Sequence, residues 1–134
     1  MKNIDLSNSK TLAEEATKIL LEKQALEVRL YDLSDKGNIT DFYLNVTGKS
    51  AMHTTALSDE LCDKLKELGR DCLRVEGRSS GAWVLVDYGD LIVNIFDKAS
   101  RDFYNLDRLM PAGTQTDIES LIQEVDAKFE IKKI

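Results

Sequence analysis

The stretch from Ala82 to Phe96 constrains the fold most. Two apolar runs, Ala82 to Tyr88 and Leu91 to Phe96, meet at Gly89 and Asp90. A tight turn there joins them as an antiparallel hairpin. Side chains alternate along a strand, so the hairpin sorts into two faces. One carries Val84, Val86, Leu91, Val93 and Ile95, all aliphatic. The other carries Trp83, Leu85, Asp87, Ile92, Asn94 and Phe96 and is mixed. The aliphatic face is expected to take helices, and the mixed face to stay partly exposed.

The remaining chain supplies helices and further strands. Leu12, Ala16, Ile19, Leu20 and Lys23 recur at helical spacing from about Ser9 to Gln24, with Ser9 or Ser7 as cap. Leu26, Val28 and Leu30 alternate with Glu27, Arg29 and Tyr31, a half-buried strand. Turn residues follow from Asp32 to Asn38. Phe42 to Thr47 is a second strand. Ser50 caps a helix reaching about Leu68, with Met52, Ala56, Leu57, Leu61, Leu65 and Leu68 as its apolar stripe and Gly69 as its stop. Asp71 to Glu76 is a short strand, apolar at Leu73 and Val75, and Ser100 to Leu106 a short helix anchored by Phe103, Tyr104 and Leu106. Beyond Pro111, the only proline, Thr116 and Glu119 form a capping box for a last helix with Ile118, Leu121, Ile122, Val125 and Phe129 on one face.

A strand–helix–strand crossover combined with a hairpin predicts an α/β fold: a mixed five-stranded sheet with covering helices. The 134 residues suit one domain. Residues 1–110 read as its core and 111–134 as a C-terminal helical extension.

Asp and Glu total 24 against 18 Lys and Arg, a net charge of −6. Binding through phosphate backbone rests on clustered cations, so nucleic acid is disfavoured and a basic protein partner favoured. No apolar run is long enough to span a membrane. The first ten residues carry no targeting pattern, and a cytoplasmic address is the default. Cys62, Cys72 and the single His53 are too few and too scattered for a zinc site. His53 reads as a polar residue on a helix surface rather than as a ligand or catalyst.

Two constellations could carry chemistry. Gly48–Lys49–Ser50 follows a strand and opens a helix, so its amides could hold an anion, but the upstream glycine of a phosphate-binding loop is missing. Metal-dependent nucleotidyl transfer needs two converging carboxylates. Asp59 and Glu60 are adjacent on a helix and diverge, while Asp87 and Asp90 flank a turn that they would stabilise. Trp83 is readable equally as core or as an interface anchor.

Thr40–Asp41–Phe42–Tyr43, Val46–Thr47–Gly48–Lys49–Ser50 and His53 resemble the first signature of the ribosomal silencing factor family, also called the Iojap family. Glu76–Gly77, Trp83 through Asp90, Val93, Phe96, Arg101, Tyr104 and Leu106 to Leu109 are similar to its second. The resemblance covers roughly Ser9 to Met110. Asn94 stands where the family usually has His, and Met110 where it usually has Trp.

The resemblance implies a nucleotidyltransferase-like fold without catalytic carboxylates, hence no enzyme, cofactor or metal. It implies binding to the large ribosomal subunit through its ribosomal protein number fourteen. There the factor would block subunit joining and silence translation when nutrients run low. A homodimer is expected when free, with no membrane contact and no sequence-specific nucleic acid. The expected contact residues are Glu76, Trp83, Leu85, Asp87, Tyr88, Asp90 and Tyr104. The alternative is a nucleotide-binding or nucleotidyltransferase-like enzyme using the Gly48–Ser50 turn.

Overall fold

The computed structural model describes residues 4–37 and 39–133. In chain order the elements are α1 (Ser9–Glu22), β1 (Leu26–Asp32), β2 (Phe42–Thr47), α2 (Ala51–Glu67), β3 (Arg74–Glu76), β4 (Trp83–Asp87) and β5 (Leu91–Phe96). Then come α3 (Lys98–Tyr104), a 3-10 turn (Leu106–Leu109), β6 (Gln115–Thr116) and α4 (Glu119–Lys133). Among the described residues the strands form one sheet in the order β3-β4-β5-β2-β1-β6. β2 and β5 run parallel at its centre, and every other neighbouring pair is antiparallel.

The aliphatic hairpin face does take the helices. Val84, Val86, Leu91, Val93 and Ile95 are buried with Leu44 and Val46 of β2. Leu12, Ala16 and Leu20 of α1 and Leu57, Leu61 and Leu65 of α2 close over them. α4 packs outside α1 through buried Val125. Two ion pairs, Lys18 with Glu124 and Lys128 with Glu22, reinforce that contact.

Several expectations are corrected. The sheet has a sixth strand: Gln115 and Thr116 pair with Tyr31 and Leu30. Thr116 is therefore not a helix cap, and Asp117 Oδ1 accepts from the Glu119 amide instead. Leu26 is exposed because a bulge between Leu26 and Arg29, with Glu27 at φ 48°, breaks the alternation. Met52 and Leu68 are exposed as well. The sheet-facing row of α2 is Thr54, Leu57, Ser58, Leu61 and Leu65. Its two hydroxyls are tolerated because each donates to a carbonyl one turn back, Thr54 to Ala51 and Ser58 to Thr55. The cap of α1 is Asn8, not a serine.

Candidate functional site

The second face of the sheet is covered only in part. Alternation places Trp83, Leu85 and Asp87 of β4 on it, beside Ile92, Asn94 and Phe96 of β5 and Tyr43, Asn45 and Thr47 of β2. α3 and the 3-10 turn lie across the β5–β2 end of this face. Phe96 and Asn94 are fully covered, while Leu85 and Ile92 are half-buried.

Trp83 is the hinge between covered and open surface. Its ring packs 4.9 Å from Phe96 and 4.8 Å from Tyr104, and Tyr104 meets Phe103 edge-on at 5.0 Å. Phe103 is 81% exposed and Tyr104 48%. The aromatic row thus begins in the core and ends in solvent. Trp83 is half-buried, packed inward on Phe96 with the rest of its surface open.

A polar chain runs beneath this row. Trp83 Nε1 donates to Asn94 Oδ1 at 2.9 Å, and Asn94 Nδ2 donates to Asn45 Oδ1 at 3.1 Å. Asn45 Nδ2 donates to Asp107 Oδ1, which also accepts from the Tyr31 hydroxyl at 2.7 Å. Arg101, 5% exposed, donates through Nε to Asp107 Oδ2 at 2.7 Å and through Nη1 to Thr47 Oγ1 at 3.0 Å. Burial alone would raise the Asp107 carboxyl, but the bonds from Arg101, Asn45 and Tyr31 outweigh it and hold it below its ordinary value. Burial, then the bond to Asp107, pushes Tyr31 up to about 12. The network fastens α3 and the 3-10 turn onto the sheet and so sets the pose of Tyr104 and Phe103. Asn45, Arg101 and Asp107 had no site role in the sequence reading. One signal was available: β2 reads Phe-Tyr-Leu-Asn-Val-Thr and β5 Leu-Ile-Val-Asn-Ile-Phe, with Asn fourth in each. Parallel register sets those two side by side.

The expected acids have internal partners. Arg74 pairs with both Glu76 and Asp87. Asp87 Oδ1 also accepts from the Gly89 amide, the turn-stabilising role. Asp90 pairs with Arg70 at 2.7 Å, and Arg70 also donates to the carbonyls of Leu6 and Tyr88. These carboxylates are thus partly neutralised, and fewer free charges face a partner than their number suggests. Tyr88 does not belong to this surface at all: it is 2% exposed and lies in the core with Val84 and Val86. Its parity with those two valines already assigned it there. An apolar depression of about 420 Å³ adjoins β4 and β5, lined in part by Ile39, Tyr43, Leu73, Ile92 and Leu109. Leu73 is 72% exposed.

Two amides and the hydroxyl of the Gly48–Ser50 turn have internal partners. The Gly48 amide donates to the Phe96 carbonyl. Lys49 N–H donates to His53 Nδ1 at 2.9 Å, and Ser50 Oγ accepts from the His53 amide. With Nδ1 accepting, Nε2 carries the proton and donates to the Lys23 carbonyl at 3.0 Å. His53 is a half-buried staple between the ends of α1 and α2, more than a surface polar group. Among the described residues no cluster of three or more His, Cys, Asp or Glu could hold a metal. Among the same residues no helix is long and apolar enough to cross a membrane.

The family profile described as "Ribosomal silencing factor during starvation" matches residues 6–133. The chain belongs to the ribosomal silencing factor family. A ribosomal silencing factor RsfS of Zymomonas mobilis is 33% identical over 116 residues, 87% of each chain. That of Bacillus subtilis is 30% identical over 84% of this chain and 95% of its own length. A protein of Arabidopsis thaliana named Iojap-related, mitochondrial, is 27% identical over 89% of this chain and 70% of its own. A crystal structure from Chromobacterium violaceum superposes with a TM-score of 0.70 at 33% identity, covering 84% of this chain and 90% of that one. One from Bacillus halodurans gives 0.70 at 32%, covering 81% and 98%. By its family the chain is a ribosome-associated regulator, not an enzyme.

Proposed function

We propose that this silencing factor binds the large ribosomal subunit through ribosomal protein number fourteen and blocks joining of the small subunit, repressing translation when nutrients are scarce. The aromatic row ending at Phe103 and Tyr104 carries the reading: it is large apolar surface that runs from the sheet onto α3, rimmed by polar groups. Trp83, Leu85 and Tyr104 form the desolvated centre of the contact, with Glu76, Asp87 and Asp90 at its rim. The net charge of −6 steers the factor to a basic ribosomal protein. Silencing then needs no chemistry, only a folded body in the subunit interface. The fold is of nucleotidyltransferase type, with residues 1–110 as core and 111–134 as an extension. In the cytoplasm the free factor is a homodimer whose shared apolar face is released on docking.

Co-sedimentation with purified large and small subunits tests this. Retention on large subunits, with fewer joined ribosomes when small subunits are added, is the expected result. Failure to bind large subunits overturns it. The nucleotide-handling alternative loses support from the Gly48–Ser50 turn, where the Gly48 and Lys49 amides and the Ser50 hydroxyl are engaged by Phe96 and His53.

A further inference from the structure

Cys62 on α2 and Cys72, two residues ahead of β3, hold their sulfurs 4.0 Å apart. Both are unbridged and half-buried. The Tyr88 hydroxyl is the second observation at this place. It is buried with no nitrogen or oxygen partner; its polar neighbours are the two thiols, Cys62 standing as its weak hydrogen-bond partner. Burial and then the two neighbouring thiols drive its ionisation upward. Burial, followed by Cys72, also pushes the Cys62 thiol up to about 12.

We propose that Cys62 and Cys72 are a dithiol that closes to an intramolecular disulfide on reaction with a hydroperoxide, with the Tyr88 hydroxyl as donor to the oxidised sulfur. Cys72 is the attacking group: it sits between exposed Asp71 and Leu73, where a peroxide reaches it, whereas Cys62 is half-buried on α2 and burial disfavours its thiolate. Its thiolate attacks the terminal peroxide oxygen. An S–O bond forms, the O–O bond breaks, and the departing oxygen takes a proton from solvent. Cys72 is left as a sulfenic acid. The Cys62 sulfur then attacks the Cys72 sulfur. The S–S bond forms, the S–O bond breaks, and the Cys62 proton leaves with the hydroxide as water. Two thiols lose two electrons, and the peroxide gains them.

The required approach of the sulfurs, from 4.0 Å to a bond of about 2.05 Å, falls on the segment after Gly69. Gly69 has φ 99° and open space around it, whereas Cys62 sits within a seventeen-residue helix. Closure ties this segment to α2. The Leu73 amide already donates to the Asp87 carbonyl at 2.7 Å, so β3 is fixed with it. β3 carries Glu76 of the proposed contact face. Any consequence for docking rests on that reading, but the sulfur chemistry does not.

The test treats the full chain with hydrogen peroxide and follows intact mass, peptide mapping and amide exchange, without ribosomes. The expected product has lost two hydrogen atoms, yields a Cys62–Cys72 linked peptide and reverts with dithiothreitol. Exchange at Leu73 to Glu76 slows at least tenfold on closure. Cys62→Ser accumulates a dimedone-reactive Cys72, and Tyr88→Phe closes several-fold more slowly. Disulfides between chains, added oxygens without an internal bridge, or unchanged exchange overturn the proposal. Tyr88→Phe closing at the parent rate removes the role of Tyr88. Because every readout is made on the isolated protein, its failure is distinct from a failure to bind subunits.

Discussion

The Trp83 indole nitrogen donates to Asn94 Oδ1 at 2.9 Å, across the β4–β5 ladder and beneath the aromatic row. That bond fixes the ring plane against Phe96 and Tyr104. It makes Trp83 a structural residue whose outer edge is available to a partner. The two roles separate by substitution. Trp83→Phe keeps an aromatic body but leaves the buried Asn94 oxygen without its donor, a loss of about 1–3 kcal/mol in folding stability. Trp83→Ala also weakens large-subunit binding by about 2 kcal/mol or more. Melting and co-sedimentation on both variants read the two effects. Intact binding by a folded Trp83→Ala protein excludes Trp83 from the contact.

The parts of the fold visible in the sequence were those governed by period alone. Val84, Val86, Val93 and Ile95 alternate without interruption, and they are buried as alternation requires. Leu26 failed because the backbone departs from ideal pleating at Glu27, which no side-chain pattern records. Met52 and Ala56 lie outside the buried row because helix geometry, not apolarity, selects it, and Thr54 and Ser58 take the inner positions by bonding to their own helix. β6 is two residues long and is defined by its partner Tyr31 rather than by its own sequence. At the candidate site alternation made legible which face Trp83, Leu85 and Asp87 share, and it placed Tyr88 with Val84 and Val86 on the opposite, buried one. The Asn45–Asp107–Arg101 network was not legible, because it joins Asn45 to Asp107, 62 positions apart, and Thr47 to Arg101, 54 apart.

Asp107 is where that network is most vulnerable. Asp107→Ala strands the guanidinium of Arg101, which is 5% exposed. Leaving a buried charge unpaired costs about 3–5 kcal/mol. The loss is expected in chemical denaturation, and α3 should lose protection from amide exchange before the rest of the sheet. A two-state loss below 1 kcal/mol contradicts this role.

The same carboxyl gives a pH dependence. Its folded value lies below the ordinary 3.8, so its stabilisation is complete above the unfolded value. That stabilisation is lost as pH falls through the folded one. The melting temperature of the parent protein should therefore drop faster than that of Asp107→Asn below about pH 4, and the two curves should converge. Curves that stay parallel down to acid unfolding assign the acid response to other carboxylates.

Gly77 sets the approach of β3 to β4. It has φ 81°, and a Cβ there would strike the Trp83 carbonyl oxygen. Gly37, at φ 69°, has nothing within 4 Å of a Cβ, and serves as the comparison. Gly37→Ala is expected to lose about 1 kcal/mol from the left-handed backbone alone. Gly77→Ala adds a clash with main chain that cannot relax by rotating a side chain, and is expected to lose about 2 kcal/mol or more. Equal melting temperatures for the two variants contradict the clash.

Phe103 offers the cleanest separation of binding from folding. It is 81% exposed and meets the row in a T-shaped contact with Tyr104. Truncating it removes almost no buried surface, so Phe103→Ala should melt within about 0.5 kcal/mol of the parent. An exposed phenyl ring on a rigid helix is nonetheless available for burial by a partner. Loss of that burial is expected to weaken large-subunit binding by at least about 1 kcal/mol, read as a fivefold or greater shift in co-sedimentation. Phe103→Asp should weaken it further by placing an unpaired charge in the contact, with melting still unchanged. If both variants bind as the parent does, the contact lies away from α3, and the depression lined by Leu73 and Leu109 becomes the surface to substitute.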